Sequence, residues 1–551
     1  MDNGNGITPN AKRILWAGFM AILAEGVGFG VRGGILGDWG KQFGFTLSDL
    51  GEITGGGLTG FGIIILFSAL IADWIGYGRL MIFAFIMHTL SAVVTLAASP
   101  IYASMVHSNP DGARFAAKMC LFWGMFIFAI GNGVCEAVAN PLVATLFPKN
   151  RTHYLNILHA GWPAGLVIGG LISFFLAGKV RWEIQMSLFL LPVLVYGFMC
   201  LGQRFPKSEA SVHGVPLSER IGEVGMLGTF VLMLVVSVWF RQLCAQFGLQ
   251  PFIGVVAAGV IWLGISAVMK FKLGPILFAI LLALHALLGY VELGTDSWIS
   301  NITGNILNSN SNGLLLFVYA STLMFILRFC AGPIVHKISP LGLLLVGALG
   351  SCIGLTLLGH VQTGLALVGA TSIYAIGKTF MWPTMLGVVS DRFPKGGAIT
   401  IGVMGGIGML SAGLLGGPGI GYNQDYVASR QLKEQAPEVY AQYKSESYNK
   451  FLFFPEIQGL DGAKVGAVRD KAQAAPTPGQ PNLTPAEQQV HDADLYGGRM
   501  ALRMTAGIPA TMAISFLIMI LFFKSRGGYR QVHIEGSGGK AHEEEDTRAR
   551  A

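Results

Sequence analysis

Long apolar runs separated by short polar segments make up most of the chain. Each of these runs reaches the length of about 20 mostly apolar residues that an α-helix needs to cross a bilayer. The pattern therefore predicts an all-α membrane protein with fourteen spans, at residues 14–37, 52–72, 79–101, 115–142, 152–177, 184–202, 224–240, 252–269, 274–300, 313–335, 340–359, 363–388, 398–420 and 501–524.

The composition agrees with an integral membrane protein. Of the 551 residues, 52% are apolar and only 12% are charged, whereas a soluble globular chain carries about 25% charged residues. The spans leave no contiguous stretch for a large soluble catalytic domain, and no GxxxxGK-Ser/Thr loop that would cradle a phosphate occurs. The six cysteines have no paired spacing, which argues against a disulfide framework or a metal site. We therefore expect no enzyme activity, no cofactor and no metal.

The basic residues predict the orientation. An even number of spans places both termini on one side, and the short loops on that side hold most of the Lys and Arg residues. The positive-inside rule then predicts that both termini are cytoplasmic, and we expect the bacterial cytoplasmic membrane. The formal charge of +7 is scattered between apolar runs, which argues against nucleic acid as a partner. We expect a monomer.

An internal repeat divides the chain. Residues 131–151 and 374–396 each place a charged residue, Glu136 or Lys378, five positions before a proline and then continue to Phe-Pro-Lys. Two related halves with a binding site at their interface are a common transporter architecture. The predicted division is a six-helix bundle at 1–203, a linker with an inserted helical hairpin at 204–273, a second six-helix bundle at 274–524, and a tail at 525–551.

A long polar loop interrupts the second half. Residues 421–500 are predicted to be extracytoplasmic, with a Pro/Ala-rich stretch at 475–486. The aromatic and proline content favours a partly ordered lid beside the exit face, and a disordered spacer is the alternative. The charged tail 525–551 is predicted to be a disordered cytoplasmic segment.

Several motifs resemble a known family. The segment SALIADWIGYGR at 68–79 is similar to the cytoplasmic loop motif of the major facilitator superfamily, and 328–340 is a weaker counterpart in the second half. Within that superfamily, EAVANP at 136–141, LNILHAGWPAG at 155–165 and FTLSDLGEI at 45–53 resemble the fucose:proton symporters. The resemblance implies the major facilitator fold, with two pseudo-symmetric six-helix bundles and, here, an inserted two-helix hairpin.

The resemblance also implies roles for individual residues. Asp73 and Arg79 match the loop motif and would gate the cytoplasmic side. The Gly-rich segments at 51–62 and 402–417 would let two facing spans approach closely. The fucose symporters carry an acidic proton-handling residue late in span one, where this chain has Arg32 instead.

Ionisable residues within spans are the main candidates for function. A charge at the bilayer centre costs about 2.5–3.5 kcal/mol, so such residues persist where they are paired or face a wet cavity. Glu25 and Arg32 lie two helical turns apart on one face. Because the repeat relates Glu136 to Lys378, we expect these two side chains to approach near the midplane as a charge pair or a shared substrate contact. A static ion pair between the halves is the alternative.

Polar and aromatic residues complete the predicted substrate site. Carboxylates and amides can satisfy sugar hydroxyls, while an indole face suits the apolar face of a sugar ring. The predicted substrate-binding residues are Arg32, Glu136, Asn140, Asn156, His159, Trp162, Glu292, Asp296, Lys378 and Trp382. Asn140 has an alternative role, since it can satisfy backbone groups freed by the next proline. His285 is expected to be a core residue.

The predicted function is secondary active transport of a small polar solute, most simply a monosaccharide. Alternating access would be coupled to a proton or sodium gradient through Glu25 and Glu136. An alternative is a carrier for sugar acids or other organic anions, since Arg32 and Lys378 could clamp a carboxylate. A non-transporting membrane sensor is the alternative from another class. The expected partners are the solute, the coupling cation and the lipid bilayer.

Overall fold

The computed structural model describes residues 10–45, 49–50, 53–54, 57–176, 178–474 and 483–534. Parts of the predicted FTLSDLGEI and Gly-rich motifs, most of the Pro/Ala-rich stretch and the tail from residue 535 lie outside the described residues.

Fourteen of the described helices are long and apolar enough to cross a membrane, which confirms the predicted number. They are α1 Ala11–Phe43, α2 Gly57–Ile75, α3 Tyr77–Met105, α4 Pro110–Leu146, α5 Arg151–Leu176, α6 Trp182–Cys200, α7 Leu217–Gln246, α8 Pro251–Val268, α9 Ile276–Ile306, α10 Asn310–Arg328, α11 Ala331–Leu358, α12 Gly364–Arg392, α13 Pro394–Gln435 and α14 Pro485–Ser525. We call the end of the molecule at which α1 begins the N-terminal face, and the other end the opposite face.

Glycines set the distance between helices within the first bundle. A Cβ atom added to Gly26 of α1 would lie 3.0 Å from the Cα of Gly165 in α5, and one added to Gly30 would lie 2.9 Å from the Cα of Gly169. Only a residue without a side chain permits this approach, which is the small-residue packing typical of membrane helices. The contact fixes α1 against α5, and both helices supply residues to the candidate site.

The two bundles also meet through glycines. A Cβ on Gly62 of α2 would lie 2.9 Å from the carbonyl oxygen of Gly406 in α13, and one on Gly413 would lie 2.8 Å from Thr59 Oγ1. The close contact expected from the Gly-rich segments is therefore present. Elsewhere on the interface, a Cβ on Gly170 of α5 would lie 2.7 Å from the side chain of Val318 in α10.

Two spanning helices of the second bundle contain π-helical segments. Tyr290–Gly294 interrupts α9, and Ala412–Gly416 interrupts α13. The two segments touch, since a Cβ on Gly294 would lie 2.6 Å from the Cα of Gly416. A π-helical turn adds one residue and redirects the side chains that follow, and such turns are common at functional sites. The segment in α9 carries Glu292 and ends two residues before Asp296.

The two ends of the inserted hairpin lie next to each other. A Cβ on Gly274 would lie 2.6 Å from the Cα of Gly225. The amide of Met226 donates to the Lys272 carbonyl at 2.9 Å, and the amide of Leu227 donates to Leu273 at 3.1 Å. Helix α7 begins at Leu217, earlier than the predicted 224, and bends at Gly225, whose φ is 65°. The hairpin of α7 and α8 is thus a lateral addition to the bundles.

The segment predicted as a long loop at 421–500 is mostly helical. Helix α13 continues to Gln435, α14 begins at Pro485, and the helices Pro437–Tyr443 and Gly462–Gln473 lie between them. We call the described residues of 421–500 the cap. The cap has its own apolar cluster, formed by Leu432, Val465, Val468, Val490 and Ala493. A disordered spacer is therefore excluded for the described residues.

Within the cap, an ion pair joins the helix Gly462–Gln473 to α14. Arg469 donates to both carboxylate oxygens of Asp494, at 2.7 and 2.6 Å. Burial lowers the pKa of Arg469, but the hydrogen bonds and negative charge of Asp494 outweigh it, so the pKa lies above its ordinary value. At the edge of the cap, the Gln473 amide donates to Asn310 Oδ1 at 3.1 Å, which ties the cap to the start of α10.

The first part of the tail predicted to be disordered is packed on the N-terminal face. We call residues 527–534 the strap. The Val532 amide donates to the Asp391 carbonyl at 2.8 Å, and the Gln531 amide donates to the Pro148 carbonyl at 3.1 Å. Ile534 packs against Ala210 and Val215 of the linker. The prediction of disorder is wrong for the strap because these residues find backbone and apolar partners on both bundles.

Candidate functional site

A cavity of 650 Å³ opens between the bundles in the half of the molecule towards the opposite face. Exposed positions on its walls, such as Gly33, Ser297 and Asn301, show that water reaches it. Helices α1, α2 and α5 of the first bundle and α9 and α10 of the second line it with Phe29, Gly30, Gly33, Gly34, Leu36, Leu58, Trp162, Leu166, Gly170, Ser173, Leu293, Asp296, Ser297, Ser300, Asn301, Asn310, Leu314 and Phe317.

The lining combines an aromatic wall with neutral polar groups. The Trp162 ring lies 5.3 Å from that of Phe29, and the Trp162 indole N–H has no partner among the described residues. A buried indole N–H normally has an acceptor, but this nitrogen is itself buried, so the lining offers the indole ring rather than its N–H. Sequence analysis missed Ser297, Ser300 and Asn301. Their spacing after Leu293 and Asp296 follows one face of a helix, a signal that could have identified them.

Among the described residues that line the cavity, Asp296 is the one ionisable side chain, and Lys378 neutralises it from below. The buried Lys378 ammonium of α12 donates to its Oδ1. Lys378 also lies 5.0 Å from the centre of the Tyr374 ring. At the cavity floor, the negative charge of Asp296 is therefore neutralised by Lys378.

Arg328, which sequence analysis did not assign to the site, links the two bundles beneath the cavity. It is 1% exposed and donates to Glu292 Oε1 at 3.1 Å and to the Thr379 carbonyl at 2.8 Å. It also donates to the backbone carbonyl of His159 in α5 of the other bundle.

The resemblance of 328–340 to a loop motif obscures how deep in the membrane Arg328 lies. Arg328 begins the segment 328–340 that resembles the loop motif, but the turn between spans lies at Ser339, where φ is 63°. The residues between them include the helical segment 331–338, so Arg328 lies well inside the span. Because the predicted span 313–335 already contains Arg328, a charge inside a span was the signal that could have identified it.

A polar triangle lies on the first-bundle side of Arg328. Asn140 donates to Glu136 Oε2, and the His159 ring donates through Nε2 to Asn140 Oδ1 at 2.7 Å. The second ring nitrogen of His159 lies 3.9 Å from Glu136 Oε1. Asn140 also donates to the Glu136 backbone carbonyl at 2.9 Å. Asn140 is 2% exposed and absent from the cavity lining, and the carbonyl that Pro141 leaves free is that of Ala137 rather than Glu136, so these contacts support neither predicted role of Asn140.

The expected pairing of Glu136 with Lys378 is not present among the described residues. Lys378 pairs with Asp296 and Glu136 pairs with Asn140, so each residue is satisfied within its own bundle. The contact between the bundles that the sequence predicts for Lys378 is made by Arg328 instead. The side chain of Arg328 is long enough for its guanidinium to reach both Glu292 and the backbone of α5.

Glu25 and Arg32 are buried but do not meet. Both carboxylate oxygens of Glu25 lack a partner in the described part of the chain. Arg32 instead stacks its guanidinium 3.8 Å over the Phe128 ring and donates to Ser91 Oγ at 3.1 Å. It lies inside the first bundle and is absent from the cavity lining. The structure therefore does not support Arg32 as a substrate contact or as a carboxylate clamp.

Two further candidates lie nearer the N-terminal face than the cavity. Asn156 donates to Thr384 Oγ1 at 3.3 Å across the interface. Trp382 packs against the ring of His285, with the ring centres 4.6 Å apart. His285 is fully buried, which agrees with its expected place in the core. Asn156 and Trp382 do not line the cavity.

Ion pairs close the N-terminal face. Arg151 at the start of α5 donates to the Ser390 carbonyl at 2.7 Å and to Glu209 at 2.9 Å, and it lies 3.9 Å from Asp391. Asp73 accepts from Arg220 of the linker at 2.6 Å.

The predicted gate pair is only half present. Asp73 belongs to the closed face, but Arg79 is exposed and makes only a long contact of 3.5 Å to the Ile75 carbonyl. Arg79 follows the turn at Gly76, where φ is 93°, and lies on the exposed face of α3.

Comparisons with known proteins agree with this architecture. No curated protein matches the chain. Among solved structures the chain resembles the proton:xylose symporter XylE bound to 6-bromo-6-deoxy-D-glucose, with 14% identity, a TM-score of 0.54, and coverage of 79% of this chain and 91% of that chain. The transporter FucP in its outward conformation is 14% identical, with a TM-score of 0.52 and coverage of 76% of this chain and 93% of that chain.

A human neighbour covers more of the chain. The organic anion transporter MFSD10 is 13% identical, with a TM-score of 0.55 and coverage of 92% of this chain and 100% of that chain. At such identities these likenesses show the fold alone. The family model of the Major Facilitator Superfamily matches residues 17–417. With its paired bundles and a cavity between them, the chain therefore belongs to the Major Facilitator Superfamily.

Proposed function

We propose that this transporter carries a small neutral polar solute, a monosaccharide or polyol, by alternating access. The observation that carries the proposal is the cavity lining. It offers the Trp162 and Phe29 rings together with hydroxyl and amide groups, and Asp296, the one ionisable residue among the described lining residues, is already paired with Lys378. An aromatic wall with neutral hydrogen-bonding groups suits a sugar ring.

The proposed orientation places both termini in the cytoplasm of a bacterium, as the basic residues predict. The cavity then opens to the outside, and the Arg151 and Asp73 contacts close the cytoplasmic side. Transport would require these contacts to break while the bundles close over the cavity.

An organic anion is the second candidate, because the neighbour MFSD10 is an organic anion transporter. Two buried cations, Lys378 and Arg328, lie close to the cavity floor, but Asp296 and Glu292 already neutralise them. An anion would have to displace a carboxylate from one of these pairs. A neutral solute meets no such cost, and we therefore prefer it.

We further propose that a cation, most simply a proton, couples through Glu136 and Glu25. Glu136 lies beside His159, whose carbonyl binds Arg328 from the other bundle. Separation of the bundles would remove Arg328 from this region and leave Glu136 without a nearby cation. A buried carboxylate without compensation favours its neutral form, so Glu136 would take up a proton in that state.

Uptake by proteoliposomes tests the substrate class. Labelled galactose and fucose are compared with glucuronate under an imposed proton gradient. We expect saturable accumulation of a neutral sugar, and a KM several-fold higher in Trp162→Phe, which has a smaller aromatic face and no indole N–H. Trp382→Phe, outside the cavity, is the matched control and should leave KM unchanged. Accumulation of glucuronate alone would overturn the neutral-solute proposal, and binding without accumulation would support a sensor.

A further inference from the structure

A second concave site lies on the flank of the first bundle, at the N-terminal face. We call it the lateral groove. It has a volume of 570 Å³ and lies between α3 and α6, with walls formed by Gly78, Arg79, Met81, Ile82, Phe85, Ile86, Leu194, Gly197, Phe198, Cys200, Leu201, Gly202, Gln203 and Phe205. It shares no lining residue with the transport cavity.

The walls of the lateral groove are apolar and face outward. Phe198 is 67% exposed and Ile82 is 55% exposed, although both lie within spanning helices. A Cβ on Gly197 would lie 2.6 Å from the Phe85 ring, and one on Gly78 would lie 2.8 Å from the Phe205 ring. The glycines thus allow these rings to sit against the helix backbones. The result is a depression shaped for a flexible hydrocarbon chain rather than a flat face.

The end of the lateral groove at the N-terminal face is cationic. Arg79 belongs to the groove lining and is exposed. Arg13 lies at the same end, since its guanidinium donates to the Met199 carbonyl at 2.9 Å and to the Phe198 carbonyl at 3.1 Å. Neither arginine has an ion pair with any of the described residues.

We propose that the lateral groove binds an anionic phospholipid of the leaflet at the N-terminal face. An acyl chain lies against Phe85, Ile86 and Leu194, and the phosphate lies beside Arg79. Arginine suits a phosphate because its guanidinium donates two parallel hydrogen bonds. Apolar walls and unpaired cations at one end complement the two parts of such a lipid. Arg79 matches the loop motif but does not take part in the contacts that close the N-terminal face. In this proposal its ligand is the lipid phosphate.

Native mass spectrometry of the full-length protein tests the proposal. The protein is exchanged into detergent with equal amounts of phosphatidylglycerol and phosphatidylcholine of identical acyl chains. We expect retained phosphatidylglycerol in excess, and a preference about fivefold weaker in Arg79→Gln, since a basic residue near the surface contributes about 1 kcal/mol to anionic lipid binding. Leu194→Trp, which fills the groove, should reduce retention of both lipids.

The matched control is Lys337→Gln, at the corresponding turn of the second half and also exposed. It should leave the lipid preference unchanged. Equal retention of the two lipids by the wild type, or the same preference in Arg79→Gln as in the wild type, would overturn the proposal. A loss of preference in both Arg79→Gln and Lys337→Gln would also overturn it, because it would indicate general attraction to a basic face. Thermal melting of each variant in detergent verifies that the protein is folded.

Discussion

At the scale of single residues, buried charges in this protein are satisfied in pairs. Lys378 holds Asp296, Arg328 holds Glu292, and Asn140 with His159 surrounds Glu136. Two ionisable site candidates differ: the Glu25 carboxylate has no hydrogen-bond partner among the described residues, and Arg32 contacts only neutral groups there, the Gly28 carbonyl, the Ser91 hydroxyl and the Phe128 ring. Pairing of this kind keeps charges at mid-depth, where each alone would be costly.

Arg328→Gln should destabilise the protein and stop transport. The substitution leaves Glu292 buried without its cation, and breaking a buried pair from one side costs about 3–5 kcal/mol. Thermal melting and sugar uptake measure the two effects. The double variant Arg328→Gln/Glu292→Gln should recover most of the stability without recovering transport. A single variant with wild-type melting and uptake would contradict the assigned role.

Glu136→Gln should abolish gradient-driven accumulation while sparing exchange of solute across the membrane. The amide preserves shape and hydrogen bonding to Asn140 but cannot carry a proton. Accumulation and counterflow in proteoliposomes separate the two activities. Unchanged accumulation would move the coupling site to Glu25 or Glu292.

At the scale of elements, glycine decides which helices touch. The pairs α1–α5 and α2–α13 approach through Gly26, Gly165, Gly62 and Gly406, while the hairpin closes on itself at Gly225. Apolar side chains alone would not select these contacts, because lipid is as apolar as the helix surfaces. By the same reasoning, a helix pair on the flank of the bundles, such as α7 and α8, can be removed with little loss of folding stability.

Joining Gly225 directly to Gly274 should yield a folded transporter with most of the wild-type uptake. The two backbones already touch, and the surfaces of α9 and α13 that the deletion uncovers become exposed to lipid. Thermal melting and uptake provide the measurements. Removal of the pair α10–α11, which carries Arg328, serves as the control and should prevent folding. If the hairpin deletion also failed to fold, α7 and α8 would have a structural role.

At the scale of the whole molecule, the described conformation is open on one side and closed on the other. The cavity reaches the opposite face, while Arg151, Asp73 and the strap hold the N-terminal face together. The strap contacts both bundles, since Gln531 binds Pro148 in the first and Val532 binds Asp391 in the second.

Truncation after Arg526 should favour opening of the N-terminal face. The lost Gln531 contact between the bundles contributes about 1 kcal/mol, so the open population should rise about fivefold. Distances between spin labels at Asn150 and Lys395, in a cysteine-free background, report the opening. Truncation after Ile534 removes only residues beyond the described chain and is the control. Identical distance distributions in the two truncations would show that the strap does not hold the face closed.

Local sequence signals are enough to locate the helices of this protein and to place its ionisable residues within spans. Helix number and the hairpin follow from local hydropathy, and the repeat is visible in Glu136 and Lys378, because these signals need no knowledge of distant contacts. Which buried side chains pair with one another, however, depends on the tertiary fold. Lys378 pairs with Asp296 and Arg328 crosses to α5 because side-chain reach and helix rotation, set by glycine contacts and a π-helical turn, determine which groups meet. Likewise, the order of the cap and the strap depends on surfaces far away in the sequence.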